Sequence, residues 1–404
     1  MKFSKMGQAA LVSTAALVLA ASFTACSPVT IDYVYVAGDK SGSTNGDGQI
    51  QTFLADRQSG ALEVVNKTVD SGGVTPVSEA VSSDFSNLYV ANQGDNTLVQ
   101  FTIAGNGALS SKATVTESAE GTAPVSIAMN TAGTLLYVVN KYQPGCSTNA
   151  INNGSCPGAL AVYPVGTGGA LGSAIANGSL SYWPVGINPT AVTALPSGTA
   201  AYVTTYDPGA GIGYVDAFNA TTSGVLTALA PVQAGVKPVA LATDPVSRFV
   251  YVADYAQNQL VAYSILSGAS LHPLINGPFK TGNQPSALTV DPRGLFIYVT
   301  NQLDNTVSAY SIDLPTGTPT AAVNTSGSAS NSTGTAPVAV VVEPSFGRFV
   351  YTANLLDNSL TGFQLNPSTG TLTSSSNTPY PSVGSPVALA AIPHGNHSIQ
   401  VNQP

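Results

Sequence analysis

Few side chains in this sequence could carry chemistry. Of its 404 residues only 8% are charged, with 12 Lys and Arg against 20 Asp and Glu, three His and three Cys. The candidate ligand-binding residues are Lys40, Tyr142, Tyr206, Lys237, Asp254, Tyr255, Asp304 and Asp357. An ammonium group can hold an anion or polarise a carbonyl, a carboxylate can accept hydroxyl hydrogens or a proton, and an exposed Tyr can stack on a sugar ring or anchor a partner. No set of residues reads as catalytic, because no general base pairs with an oxyanion donor. No metal site is expected. The segment Asp39-Lys-Ser-Gly-Ser-Thr-Asn45-Gly-Asp47-Gly48 spaces oxygen ligands but lacks the closing Glu of a calcium loop. His272, His394 and His397 are scattered and read as solvated residues. No cofactor is expected either: neither a haem-type Cys-x-x-Cys-His nor a cluster of metal ligands is present.

What positions the candidates is an internal repeat. Asp244-Pro-Val-Ser-Arg-Phe-Val-Tyr-Val-Ala-Asp254 matches Asp291-Pro-Arg-Gly-Leu-Phe-Ile-Tyr-Val-Thr-Asn301 and, with one insertion, Glu343-Pro-Ser-Phe-Gly-Arg-Phe-Val-Tyr-Thr-Ala-Asn354. Extended outward, the unit has four apolar runs. The first follows a Pro (Pro76, Pro124, Pro189, Pro238, Pro285, Pro337, Pro386) and the second carries a Tyr (Tyr89, Tyr137, Tyr202, Tyr251, Tyr298, Tyr351). The third ends on an aromatic in four copies, and a turn such as Gly107-Ala-Leu109 leads to the fourth. Alternation of period two within the runs marks strands, and four antiparallel strands per unit of roughly 50 residues is the pattern of a propeller blade.

Closure sets the count at seven. Tyr33-Val-Tyr-Val-Ala37 is a second strand without a first, and Pro386-Val-Ala-Leu-Ala390 is a first strand without a second. Pairing them completes one blade from both chain ends and removes open sheet edges. Ile399-Gln-Val-Asn402 competes for the same place as residues 33–37. The fold class is therefore all-β, a seven-bladed propeller of four-stranded antiparallel blades over residues 31–404. In such a disc, second-to-third and fourth-to-first loops share one face. Lys40, Lys141, Lys237, Lys280, Asp39, Asp95, Asp207, Asp254, Asp304 and Asp357 belong there, and Arg57, Arg248, Arg293 and Arg348 belong on the other. The recurrent Asp95-Asn96, Gln257-Asn258, Asp304-Asn305 and Asp357-Asn358 pairs read first as turn-forming residues. Recurrent Tyr and Phe read as blade-to-blade core, whereas Trp183 suits either the core or the site.

Composition narrows the partners. With 40 Gly, 27 Pro and few Glu or Lys, helical bundles and coiled coils are excluded. A net charge of −8 and no basic run beyond residue 5 exclude nucleic acid. Loops rich in Ser, Thr, Asn and Gly suit a small neutral ligand, a glycan or a protein, and a monomer is expected.

Residues 1–25 read as a cleaved export signal: Lys2 and Lys5, an apolar run over 9–21, then Phe23-Thr24-Ala25 before Cys26. This ending resembles a bacterial lipoprotein signal, with Cys26 lipidated and 26–30 as linker, although Phe23 stands where that pattern has Leu; an ordinary signal with a bystander Cys is the alternative. The protein would then face the periplasm or cell surface, held at the outer membrane through acyl chains alone. Cys146 and Cys156 are left as a pair, and in an oxidising compartment they form a disulfide closing an insertion near 141–157.

Tyr298-Val-Thr-Asn301, the near copies Tyr89-Val-Ala-Asn92, Tyr137-Val-Val-Asn140 and Tyr251-Val-Ala-Asp254, the Gly-x-x-Pro segments and the Gly-Ala-Leu turns together resemble the YVTN-repeat, seven-bladed lactonase family, which includes 6-phosphogluconolactonase-like proteins. The resemblance implies lactone hydrolysis and carbohydrate metabolism. However, the Arg, His and Glu that those enzymes carry at or after the Gly-x-Pro segments are replaced here by Val77-Ser78, Val125-Ser126, Thr190-Ala191, Val239-Ala240, Ser286-Ala287, Val338-Ala339 and Val387-Ala388. The expected function is a ligand- or protein-binding scaffold, with a sugar-lactone hydrolase as the alternative. An electron-transfer propeller finds no support in the residues.

Overall fold

The computed structural model describes residues 30–40, 46–117, 119–152 and 154–394. The export segment, Cys26, His397, residues 399–402 and residues 41–45 of the Asp39–Gly48 loop lie outside the described residues.

Seven antiparallel sheets form a ring. Their inner strands are Gly384–Pro393, Pro76–Val81, Thr122–Met129, Ala191–Ala194, Pro238–Thr243, Pro285–Val290 and Pro337–Val342, which head blades I to VII in that order. Each inner strand packs against the next, and the last packs against the first. Blade I is built from both chain ends: Thr30–Asp39 pairs with Gly384–Pro393, with Tyr35 opposite Ala390. The N-terminal strand thus takes the second position. The expected seven-bladed, all-β architecture is observed, with one refinement. In five blades the outermost strand is broken into two short pieces against the same third strand, as with Leu271–Pro273 and Phe279–Lys280 on Gln259–Ile265.

Second strands such as Phe249–Asp254, Phe296–Asn301 and Phe349–Asn354 are buried at every position. They are hydrogen-bonded on both sides and covered by a neighbouring blade on both faces, so they read as continuous apolar runs rather than alternating ones. Blade contacts explain the repeat motif. The Tyr of one blade donates its hydroxyl to a carbonyl in the third-to-fourth turn of the next: Tyr35 to Gly107, Tyr89 to Gly169, Tyr202 to Ala269, Tyr251 to Gly317, Tyr298 to Gly370 and Tyr351 to Gly60. At the III–IV boundary Trp183, 4% exposed, donates Nε1–H to the Leu226 carbonyl instead, which places Trp183 in the core. In four blades the residue two before the Tyr is aromatic (Tyr33, Phe249, Phe296, Phe349) and covers the same turn. At Gly317, where φ is +73°, a Cβ would sit 2.3 Å from the Phe249 ring, so neither backbone nor packing admits a side chain.

The two faces are distinct. Arg248, Arg293 and Arg348 occupy first-to-second turns, with their guanidinium groups over Phe249, Phe296 and Phe346, and Arg57 lies over Phe346 as well. The expected insertion is present: Pro157–Pro164 follows a loop with a short helix at Thr148–Asn152, closed by a Cys146–Cys156 disulfide with Cα atoms 6.0 Å apart. Among the described residues no helix is long and apolar enough to cross a membrane.

Candidate functional site

On the face opposite the Arg side chains, six of the seven blade boundaries share one backbone feature. The residue before the inner-strand Pro has a positive φ at Thr75, Ala123, Asn188, Gln284, Ala336 and Ser385. Such a backbone is strained for a non-Gly residue, at about 1–3 kcal/mol. In four of these cases an Asn on the preceding blade accepts the strained residue's N–H: Asn96 from Ala123 (2.6 Å), and Asn258, Asn305 and Asn358 from Gln284, Ala336 and Ser385 (2.8 Å each). The recurrent Asp-Asn pairs are therefore turn and boundary residues.

The boundary between blades IV and V departs from this pattern. The preceding loop has Gly211 and no Asn, and Lys237 is not among the residues of positive φ. Gly235, with φ +80°, turns the chain instead, and Asp254 stands where the neighbouring repeats have Asn301 and Asn354. Its carboxylate accepts N–H from Lys237 (2.9 Å), Val236 (3.1 Å) and Ala256 (3.2 Å) and from Gln259 Nε2 (3.0 Å). A Cβ on Gly235 would lie 2.0 Å from Asp254 Oδ2, so the loop closes directly over the carboxylate.

This path carries the Lys237 ammonium between two rings. Nζ lies 4.5 Å from the Tyr255 ring centroid and 5.6 Å from that of Tyr206, within cation–π range of both. Among the described residues no carboxylate is within ion-pair distance of Lys237. Tyr206, Lys237 and Tyr255 are each half-buried. Four of the eight sequence candidates thus converge: Tyr206, Lys237, Asp254 and Tyr255. The other four lie in other blades. Lys40 is exposed in blade I, and Tyr142 is in blade III with the Lys141 ammonium 5.4 Å from its ring. Asp304 accepts N–H and Nδ2–H from Asn283 (2.7 and 2.8 Å), and Asp357 accepts from the Thr335 N–H and the Ser359 hydroxyl (2.7 Å each).

Sequence reading overlooked two acids. Glu117, at the II–III boundary, accepts a hydrogen bond from Asn140 Nδ2 (2.5 Å). Burial pushes its carboxyl up to about 7, against the opposing effect of nearby Tyr163 and of the Asn140 hydrogen bond. Glu79, on the inner strand of blade II, has both oxygens sealed from solvent without a hydrogen-bond partner, and burial raises its carboxyl well above the usual range. Its signal was available, since Ile127, Val192, Leu241, Leu288, Val340 and Leu389 occupy the equivalent position. The remaining His side chains are remote from the cleft: His394 meets Tyr33 edge-on at 5.2 Å, and exposed His272 is on an outer strand. Among the described residues no group of three or more His, Cys, Asp or Glu could hold a metal ion.

An ammonium within range of two aromatic rings, on a loop whose amides are held by the Asp254 carboxylate, is the candidate site of this seven-bladed propeller. The family model described as Lactonase, 7-bladed beta-propeller matches residues 77–156, 179–285 and 266–403, and the chain belongs to that family. The structure resembles the periplasmic gluconolactonase of Pseudomonas aeruginosa, with a TM-score of 0.70 at 20% identity over 91% of this chain and 100% of that one. It also resembles putative 6-phosphogluconolactonases of Bacteroides fragilis (0.67, 19%, covering 89% and 98%) and Bacteroides uniformis (0.69, 18%, covering 90% and 100%). At these identities the likeness is one of fold. No curated protein matches the sequence.

Proposed function

We propose that this protein is an exported, lipid-anchored propeller that binds a small ligand or glycan in the Lys237 cleft. The observation that carries this reading is the cleft's composition: one ammonium and two Tyr rings are presented to a ligand, whereas the adjacent Asp254 carboxylate is committed to backbone amides. Stacking and charge give affinity, whereas bond cleavage would need a free base, and Asp254 is not one. Export is supported by the lipoprotein-like start and by the disulfide.

Family membership favours a second reading, hydrolysis of a sugar lactone, in which Lys237 would polarise the carbonyl. The two separate in one experiment. A panel of sugar and aliphatic lactones is followed by pH change, alongside binding of the same sugars by calorimetry. Binding without turnover is expected; turnover that disappears in Lys237→Met would establish the hydrolase.

A further inference from the structure

The turn at residues 255–258 carries ligand-facing groups at both ends. At one end the Tyr255 ring centroid lies 4.5 Å from the Lys237 ammonium, which also reaches the Tyr206 ring. At the other, Gln257 and Asn258 line a groove of about 360 Å³ with Phe279, Lys280 and Asn283. A continuous hydrogen-bond chain joins them: Asp254 accepts from the Lys237 amide and from Gln259 Nε2, and Gln259 Nε2 also reaches Gln257 Oε1 (2.6 Å). Both surfaces therefore sit on one braced ridge.

We propose that the two surfaces are adjacent subsites for a single acidic oligosaccharide. One uronate ring lies against Tyr206 and Tyr255 with its carboxylate on Lys237. The next lies along the groove with its carboxylate on Lys280. This rests on the binding reading given above. Side-chain amides offer donors and acceptors together, which matches sugar hydroxyls, and Phe279 supplies an apolar face. Lys280 is pinned at its backbone, where its carbonyl accepts the Tyr310 hydroxyl (2.8 Å), while its side chain is exposed and has no carboxylate within ion-pair distance among the described residues. A neutral glycan would cover two ammonium groups without supplying a partner, which is costly. A carboxylate on each ring supplies it, and charge-assisted hydrogen bonds are the stronger kind.

The test is calorimetric titration of the full chain in detergent with trigalacturonate, with its neutral methyl ester and with the galacturonate monomer. The acid trimer should bind at least about tenfold tighter than the ester, the size of one charge-assisted contact. Lys237→Met should weaken both acids by about tenfold, and Lys280→Met should weaken the trimer alone. Equal affinity of acid and ester for the unmodified protein would overturn the acidic inference, as would a Lys280→Met effect as large on the monomer as on the trimer. If Tyr206→Ala then still abolishes binding, the cleft reading survives without it. If no sugar binds, or if the Tyr206→Ala, Tyr255→Ala and Lys variants all bind unchanged, both readings fall. Unaltered thermal midpoints in the variants guard against loss of fold.

Discussion

Tyr351 of blade VII donates its hydroxyl to the carbonyl of Gly60 in blade I, 3.0 Å away and 291 positions distant in sequence. It is the member of the Tyr–turn series that spans the seam between the chain ends. Tyr351→Phe should cost about 1 kcal/mol, the net worth of one buried hydrogen bond, because the Tyr380 hydroxyl lies 3.4 Å from the same carbonyl as a partial substitute. Tyr298→Phe, which breaks the bond to Gly370, has no such substitute in view and should cost about 1–2 kcal/mol. Urea unfolding of the two variants tests this ordering.

Gly60→Ala should be the harsher change, at about 2–4 kcal/mol or more. Its φ is +66°, and a Cβ there would lie 2.2 Å from the Phe349 ring. A loss under about 0.5 kcal/mol, as at ordinary surface sites, would mean that the turn and ring move apart freely.

Glu79→Leu should stabilise the protein by about 1–3 kcal/mol at pH 8, since it removes a buried acid without partners and restores the residue type of the other six blades. The sign with pH is fixed by the raised folded-state value. The folded carboxyl keeps a proton that the unfolded chain releases above its ordinary value of 4.5, so stability falls as pH rises beyond that point. The gain from Leu is therefore larger at pH 8 than at pH 5, and a pH-independent gain would contradict the burial argument.

A second titration reinforces the first. Asp32, buried in the N-terminal strand, lies against Glu343 and accepts the Ser345 hydroxyl (2.6 Å). Burial, and then the charge of Glu343, hold its carboxyl well above the usual range. Protonation lets the pair share one hydrogen, and because the folded carboxyl keeps a proton that the unfolded chain releases above 3.8, stability falls as pH rises from there towards about 9. Thermal midpoints should decline from pH 5 to pH 8 in the unmodified protein and decline less in Asp32→Asn, whose amide keeps a donor toward Glu343. Parallel slopes would refute this account.

Thiol labelling of the unreduced protein should find Cys146 and Cys156 blocked, and Cys26→Ala should move the protein out of the membrane fraction. Retention on the membrane without an acyl label would point to another anchor.

Much of this molecule could be read from residue order, because the repeat fixes each residue's place within a blade. Pro285, Tyr298 and Tyr310 each revealed their strand in that way. Contacts between blades are a different matter. Tyr35 and Gly107 were both conspicuous as repeated residues, yet nothing in their spacing says that they touch, since the bond joins neighbouring units 72 positions apart. The Lys237 cleft was half legible. Its residues fell correctly on one face, but their convergence depends on a broken symmetry: no Asn precedes the loop, and Asp254 replaces one. Asp304 and Asp357 look equally functional in the sequence, and their hydrogen bonds to loop amides emerge only once neighbouring turns are folded together.

The shared blade also sets an order of events. Thr30–Asp39 is synthesised before its inner partner Gly384–Pro393, with the other six blades between them. Until that strand arrives, the N-terminal strand presents a long unpaired edge able to recruit any other chain, and the ring cannot be sealed. Pairings this distant in sequence form slowly. A chain truncated before residue 384 should therefore be released as an open, self-associating arc, and the ten-residue strand Gly384–Pro393 acts as the latch that ends the protein's most aggregation-prone interval.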